Sequence, residues 1–167
     1  LSGDSGKQVA GLLAASGTRP STVWYAGAQT RTCTTLVSSS TGDVTEVIEP
    51  STHISGECLE AFRDKVSKVI SQEESAVWQG ACICGSMPPG LDRTFYADLT
   101  AKILRERPAR CLIMLDTVHG CDAALDAGAQ VLKINAGELR SLCNQEADLW
   151  TCCSTLFEKH TPLQIVA

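Results

Sequence analysis

Three short apolar segments, each followed directly by small or polar residues, place the tightest limit on the fold of this chain. They cover residues 76–84, 111–115 and 130–134. Each has the length of a buried strand and falls far short of the roughly 20 apolar residues that cross a bilayer. Patterns typical of amphipathic helices separate them. Strands that alternate with helices predict right-handed βαβ units, and so an α/β fold with a parallel sheet covered by helices on both faces.

The clearest helix prediction lies between Ser55 and Gln72, where five apolar side chains share one face and most charged side chains lie opposite. Further helices are predicted over residues 6–17, 122–127, 138–143 and 149–160. Another is expected to start at Asp92 or Thr94 and to end before Pro108. A last strand is predicted over residues 163–167.

A partly exposed β-hairpin is predicted near the start of the chain. Residues 30–37 and 44–48 are rich in Thr, Val and Leu, and residues 38–42 break the pattern with serines and a glycine. Residues 22–25 form one more short β-prone run. One α/β domain with a protruding hairpin over residues 30–50 accounts for the whole pattern.

The balance of charges excludes a typical nucleic-acid-binding surface. The chain of 167 residues carries 14 Lys and Arg against 19 Asp and Glu, a net charge of -5. Proteins that follow a phosphate backbone concentrate Lys and Arg on one face. We therefore expect neither a nucleic acid nor a membrane as partner.

Nine cysteines raise the question of disulfide bonds or a metal site. The number is odd, and Cys82, Cys84 and Cys111 lie inside apolar segments, so we expect reduced thiols in the core of an intracellular protein. The close pairs that leave a metal or redox site open are Cys82 with Cys84, His119 with Cys121, and Cys152 with Cys153. None has the two-residue ligand gap of common zinc sites.

Ligands of open parallel sheets bind beyond the carboxyl ends of the strands, which directs attention to three segments. After the first strand, Gly85 and Ser86 offer backbone amides and a hydroxyl for an anion or a sugar, although a tight turn explains them equally well. After the second strand, Asp116 and Thr117 are either ligand contacts or a cap for the next helix.

The third segment combines Lys133, Asn135 and Glu138 at the end of a strand and the start of a helix. Phosphoryl transfer from a nucleotide needs such a mixture, because cationic and neutral donors hold phosphate oxygens while a carboxylate recruits Mg²⁺. The structural alternative is an Asn cap, a first-turn Glu favoured by the helix dipole, and a surface Lys.

The sequence argues against two common motifs. Residues 3–7 read Gly-Asp-Ser-Gly-Lys, but the four-residue gap of a P-loop is missing and Gln8 stands where Ser or Thr is required. A Ser-His-Asp hydrolase lacks its Gly-x-Ser-x-Gly turn.

Taken together, the loops resemble those of the ribokinase-like (PfkB) carbohydrate kinases. Thr30 and Arg31 open a hairpin, residues 84–90 read Cys-Gly-Ser-Met-Pro-Pro-Gly, residues 115–117 read Leu-Asp-Thr with Gly120 after them, and residues 133–138 read Lys-Ile-Asn-Ala-Gly-Glu. Their order and spacing are similar to those of the branch with 1-phosphofructokinase, tagatose-6-phosphate kinase and the minor 6-phosphofructokinase. Ile134 and Met87 depart from the usual Pro and Leu.

The resemblance implies a Rossmann-like core with a β-sheet lid, ATP and Mg²⁺ as cofactors, and a sugar phosphate as substrate. Arg31 would meet the substrate phosphate, with Gly85 and Ser86 at the phosphosugar. Lys133 and Asp116 would approach the nucleotide phosphates. Asn135 and Glu138 would organise Mg²⁺, through water.

The resemblance also implies that the family's glycine-rich substrate segment precedes Leu1 and that its Gly-Ala-Gly-Asp motif, with the catalytic base, follows Ala167. We therefore expect a partial kinase domain over residues 1–167 that is inactive alone. The expected function is ATP-dependent phosphorylation of a sugar phosphate, in a homo-oligomer or larger assembly of the cytoplasm or an organelle. The alternatives are a non-catalytic scaffold subunit and a sugar or nucleoside kinase with an unphosphorylated substrate.

Overall fold

The computed structural model describes residues 1–71, 79–106, 111–143, 147–162 and 164–166. The chain divides into two compact units. The first comprises Leu1–Ser67 and Pro88–Gly90, and the second comprises Lys68–Met87 and Leu91–Ala167. No helix in the described ranges combines the length and the apolar character that a membrane span requires.

The first unit contains a helix and the predicted hairpin. Helix α1 spans Gly3–Ala15, and strands β1 (Cys33–Val37) and β2 (Val44–Ile48) pair antiparallel. Every residue of both strands is exposed. Thr30 joins the base of the hairpin to the helix, because its Oγ1 accepts a hydrogen bond from the Ser2 amide at 2.8 Å.

Residues 22–25 do not form the strand that their composition suggests. The Val23 carbonyl accepts a hydrogen bond from the Leu1 amino group, and the Tyr25 amide donates to the Leu1 carbonyl. These two hydrogen bonds join the segment to Leu1 and not to a partner strand. β-prone residues form a strand only where a partner strand is available.

Helix α2 spans Gly56–Ser71 and confirms the amphipathic pattern, with Ile70 buried at its end. The predicted strand over residues 76–84 is observed as β3 (Gly80–Cys84), and residues 76–78 lie outside the described residues. The remaining strands are β4 (Leu112–Asp116), β5 (Val131–Lys133) and β6 (Gln164–Val166). All four are parallel and follow one another in chain order.

Helices connect the strands as the alternation predicts. They are α3 (Phe95–Glu106), α4 (Cys121–Asp126), α5 (Ala136–Leu142) and α6 (Leu149–His160). The core of this second unit includes Ile113, Leu115, Leu132 and Leu139, none of which exposes any surface. The predicted α/β class, with a parallel sheet flanked by helices and a separate hairpin, is confirmed.

Helices α4 and α6 are joined by a buried histidine. His160 Nδ1 lies 2.7 Å from Asp126 Oδ1, and His160 Nε2 lies 3.0 Å from Asp122 Oδ1. The His160 side chain has no exposed surface, whereas both carboxylates reach solvent. Both nitrogens donate to these carboxylates only when the ring is protonated, because a carboxylate oxygen accepts hydrogen bonds and a neutral imidazole has a single N–H.

All nine cysteines are free, but their burial differs from the prediction. Cys111 is buried as expected, whereas Cys82 and Cys84 are exposed. The expectation of core thiols is wrong for these two, because side chains alternate along a strand and only the face of β3 that carries Ile83 is buried. An apolar run does not reveal which of its residues face the core.

Candidate functional site

A cavity of about 530 Å³ lies at the carboxyl edge of the parallel sheet, entirely within the second unit. Its volume is in the range of small-molecule sites. Three predicted segments contribute to it. The lining residues are Gly85, Ser86, Asp116, Thr117, Val118, His119, Glu138 and Ser141.

Asp116 and Lys133 form an ion pair at the edge of the cavity. Among the lining residues, Asp116 is the only carboxylate at the end of a strand. Each is the last residue of its strand, β4 or β5, and the two strands are neighbours. Lys133 Nζ lies 3.0 and 3.2 Å from the two oxygens of Asp116. The hydrogen bond and the negative charge of Asp116 raise the pKa of Lys133 above its usual value, with a smaller contribution from Glu138. Lys133 is therefore a cation held in place by a carboxylate.

Asn135 and Glu138 form a capping box at the start of α5. Asn135 Oδ1 accepts a hydrogen bond from the Glu138 amide at 2.9 Å, and Glu138 Oε2 accepts one from the Asn135 amide at 3.0 Å. The structural alternative for this pair is thus observed. Glu138 also lines the cavity, and its carboxylate has lone pairs beyond the one that this bond uses.

Gly85 shapes the loop after β3. Its φ of +98° lies in the left-handed region, where a side chain is strained, although no atom would obstruct a Cβ there. Its amide donates to the Asp116 carbonyl at 3.0 Å, and its carbonyl accepts from Tyr96 Oη at 3.1 Å. In this conformation Gly85 connects two strand ends and does not offer its amide to a ligand.

Arg31 lies in the first unit, ahead of β1. Its Nη1 donates a hydrogen bond to Ser51 Oγ at 2.9 Å, which links the two ends of the hairpin. The neighbouring Thr32 amide donates to Glu49 Oε2. The assignment of Arg31 to a substrate phosphate stays a prediction.

Thr117, weighed above as a ligand contact or a cap, lines the cavity, and three further lining residues were not singled out as candidates: Val118, His119 and Ser141. The first two follow Thr117 in the segment after β4, where ligands of such sheets bind. Ser141 follows Glu138 by three residues, which places both on one side of α5. Its Oγ donates to the Glu138 carbonyl at 2.7 Å. Lys133 and Asn135 are not among the residues that line the cavity, but each contacts one that is, Lys133 with Asp116 and Asn135 with Glu138.

The lining carboxylates suit a hard divalent cation. Asp116 and Glu138 carry carboxylate oxygens, the ligand type that Mg²⁺ prefers. Within the described ranges, no group of three or more His, Cys, Asp and Glu side chains could hold a metal ion. Mg²⁺ usually keeps several waters and takes other ligands from phosphate oxygens, so two lining carboxylates are compatible with it.

Comparisons with known proteins find similarity at the level of structure. No family model and no curated protein matches the chain. Phosphofructokinase-2 from Escherichia coli in complex with fructose-6-phosphate superposes with a TM-score of 0.71 and 21% identity, over 96% of this chain and 52% of that one. A possible 1-phosphofructokinase from Thermotoga maritima gives a TM-score of 0.71 and 19% identity, over 95% and 49%.

A putative phosphofructokinase from Staphylococcus aureus gives a lower TM-score of 0.58, with 20% identity over 95% of this chain and 49% of that one. The chain thus spans about half the length of these solved structures. At such identities the similarity shows the fold alone: this chain has the fold of about half of each of these phosphofructokinase structures.

Proposed function

We propose that this chain belongs to the ribokinase-like (PfkB) kinases and carries part of an ATP-dependent sugar-phosphate kinase. One observation carries the proposal: two carboxylates and a lysine meet at the carboxyl edge of a phosphofructokinase-like sheet, beside a cavity large enough for a small molecule. Phosphoryl transfer depends mainly on positioning and on charge stabilisation, which are the functions such groups perform.

In this proposal, Lys133 holds a nucleotide phosphate. The ion pair with Asp116 keeps the Lys133 ammonium at the strand end. The side chain is therefore preorganised and loses less conformational freedom when a ligand binds. The phosphate oxygens would then replace or share the carboxylate as hydrogen-bond acceptors. Asp116 thereby orients the lysine and limits its mobility.

In the same proposal, Glu138 lines the cavity and is assigned to Mg²⁺. The capping box fixes its carboxylate on the first turn of α5, and Asn135 acts by holding that turn. Mg²⁺, when bound, neutralises negative charge that develops during phosphoryl transfer. Glu138 would bind waters of the ion, and no described residue of this chain is assigned as the catalytic base.

The sugar side is assigned to Gly85, Ser86 and Arg31. Gly85 fixes the loop that brings Ser86 to the cavity wall. Arg31 is assigned to the substrate phosphate, because a guanidinium binds phosphate through two parallel hydrogen bonds. This favours a phosphorylated sugar over a neutral one. One related structure is described as a tetramer, which supports a homo-oligomer.

A second candidate function is a non-catalytic scaffold of the same fold. The polar groups that suggest a site have partners within the chain: Lys133 binds Asp116, and Asn135 caps with Glu138. These contacts require no ligand. The choice between enzyme and scaffold therefore rests on measured turnover.

The deciding experiment uses the complete protein that contains these residues. ADP release is measured with Mg·ATP and a panel of hexose phosphates, beside the same sugars without phosphate. We expect turnover with at least one hexose phosphate and none without Mg²⁺. Asp148→Asn, at a helix N-terminus outside the cavity, is the matched control for Asp116→Asn, and only the latter is expected to lower the rate. Protein that folds, yet neither binds Mg·ATP nor turns over, supports the scaffold.

A further inference from the structure

The two segments that line the cavity after β3 and β4 are joined at both of their ends. Where they begin, the Gly85 amide donates a hydrogen bond to the Asp116 carbonyl at 3.0 Å. Where they end, the methyl group of Met87 lies beside Gly120. Both joints lie within the second unit. The lining residues between the two joints are Ser86, Thr117, Val118 and His119.

Gly120 occupies a position in which a side chain does not fit. Its φ of +76° lies in the left-handed region that other residues rarely adopt. A Cβ on this residue would stand 2.8 Å from the Arg93 carbonyl oxygen and 3.1 Å from Met87 Cε. Even attractive C–H···O contacts keep carbon and oxygen about 3.3–3.6 Å apart. The methionine side chain could rotate away, but the Arg93 oxygen belongs to the backbone.

The backbone around Arg93 is itself held in place. Arg93 lies in the turn that precedes α3, and the Phe95 amide donates to the Asp92 carbonyl across this turn at 3.0 Å. The carboxylate of Asp92 also accepts a hydrogen bond from the Thr94 amide at 2.8 Å. A side chain at Gly120 would therefore push its own segment away from this turn.

Such a displacement reaches the cavity wall within one residue. His119 directly precedes Gly120 and lines the cavity. The hydroxyl of Thr117 donates to the His119 carbonyl at 3.5 Å, so the short stretch between them is internally bonded. On the other segment, Met87 directly follows Ser86. Loss of the contact between the two segments thus frees the wall on both sides of it.

We propose that Gly120 is a positioning residue of the candidate site: its lack of a side chain lets the two segments close against each other, and this contact holds Ser86 at the cavity wall. The inference rests on the proposed function, in which Ser86 contacts the sugar phosphate. Lys133 and Glu138 are held by separate contacts, the ion pair with Asp116 and the capping box of α5. The effect is therefore expected on the sugar and not on Mg·ATP.

Gly120→Ala tests the contact directly, and Gly17→Ala is its matched control. Gly17 lies just beyond α1 with a φ of +80°, so both substitutions place an alanine in the same region of backbone conformation. Nothing lies within 4 Å of a Cβ at Gly17. Met87→Ala removes the methyl group without straining the backbone, and Met87→Leu keeps an apolar side chain there. These two variants decide the question if Gly120→Ala fails to fold.

Hydrogen exchange of the complete protein, followed by mass spectrometry, measures the positioning without any turnover. We expect Gly120→Ala and Met87→Ala to exchange faster than wild type over residues 85–87 and 117–121, because local opening of these segments becomes easier. Exchange over residues 136–142 should stay at the wild-type rate. Gly17→Ala should match wild type in all three segments. Wild-type exchange of both cavity segments in Gly120→Ala and Met87→Ala would overturn the proposal.

Steady-state kinetics of the same variants show whether the positioning acts on the sugar. We expect kcat/KM for a hexose phosphate to fall by up to about 100-fold in Gly120→Ala, because a misplacement of about 1 Å can cost that much. The KM for Mg·ATP should stay unchanged, and Met87→Leu should retain more activity than Met87→Ala. Equal losses for both substrates would make Gly120 a structural residue only and would contradict the proposal. Wild-type protein without turnover refutes the proposed function, and hydrogen exchange still decides whether Gly120 holds the two segments.

Discussion

Glu138→Gln separates the two roles that the structure allows for this side chain. Glu138 Oε2 accepts a hydrogen bond from the Asn135 amide, and a glutamine offers an oxygen in the same place. The capping box therefore survives, and only the negative charge is lost. A charge at a helix N-terminus contributes about 0.3–1 kcal/mol, which is small beside the roughly 5–15 kcal/mol that stabilises a domain. We expect the variant to fold normally.

Its activity should fall much further than its stability. A residue that orients metal-bound groups typically costs about 10–100-fold in activity or metal affinity when it is replaced. In the complete protein we expect kcat to drop by about that factor and the Mg²⁺ requirement to rise. The KM for the sugar phosphate should barely change, because Glu138 is not assigned to the sugar. Steady-state kinetics over a Mg²⁺ titration measure all three quantities.

Asn135→Ala is the matched control for the cap. It removes the acceptor for the Glu138 amide, at a cost of about 1 kcal/mol, and retains the negative charge of Glu138. Urea denaturation should show it to be less stable than Glu138→Gln, with the larger share of kcat retained. A Glu138→Gln variant with wild-type kcat at every Mg²⁺ concentration would refute the metal role and leave Glu138 as a helix cap.

Three further predictions follow from contacts elsewhere. Arg31→Ala should lower kcat/KM for a sugar phosphate by roughly 10–100-fold, since a hydrogen bond to a charged group contributes about 1.5–3 kcal/mol; an equal loss with unphosphorylated sugars, measured in parallel, would contradict its assignment. His160→Leu should lower the free energy of unfolding by about 1.5–3 kcal/mol in urea denaturation, because it removes both bonds to the aspartates of α4; an unchanged midpoint would show that these bonds contribute nothing. Hydrogen bonds from Thr151 hold the pKa of Asp148 below its usual 3.8, so its capping contribution is full above that pH and is lost as the pH falls through the lower folded value. Asp148→Ala should therefore be less stable than wild type near neutral pH, and its stability should fall less than that of wild type as the pH is lowered. Acid unfolding followed by circular dichroism measures this difference, and parallel curves for the two proteins would contradict the prediction.

Much of the second unit could be predicted because its signals are local. The helix predicted over residues 149–160 is observed as Leu149–His160, and the strand predicted over residues 111–115 as Leu112–Asp116. Apolar periodicity and capping residues act over a few positions, so a sequence reveals them directly. The strand suggested by residues 22–25 is not observed, because strand formation depends on a partner strand elsewhere in the chain, which local composition does not reveal.

The sequence predicted which residues belong to the candidate site, but not which of them contact one another. The position of Lys133 and Asp116 at strand ends placed both at one edge of the sheet. Their ion pair depends on β4 and β5 being neighbours in space, which no local pattern specifies. The capping box was foreseen as an alternative, because three-residue spacing at a helix start is a local signal.

The chain order of the four parallel strands has a consequence for how the second unit assembles. Of the three pairs of neighbouring strands in this sheet, β4 and β5 are joined by the shortest stretch of chain, and their end residues Asp116 and Lys133 are 17 residues apart. Paired residues of β3 with β4, and of β5 with β6, are separated by about twice as many residues. Each doubling of a loop adds about 0.6 kcal/mol of closure entropy. The β4–α4–β5 segment should accordingly nucleate folding, with β3 and β6 added later at its two edges. The cation and the carboxylate of the candidate site would then meet during nucleation, before the rest of the sheet has formed.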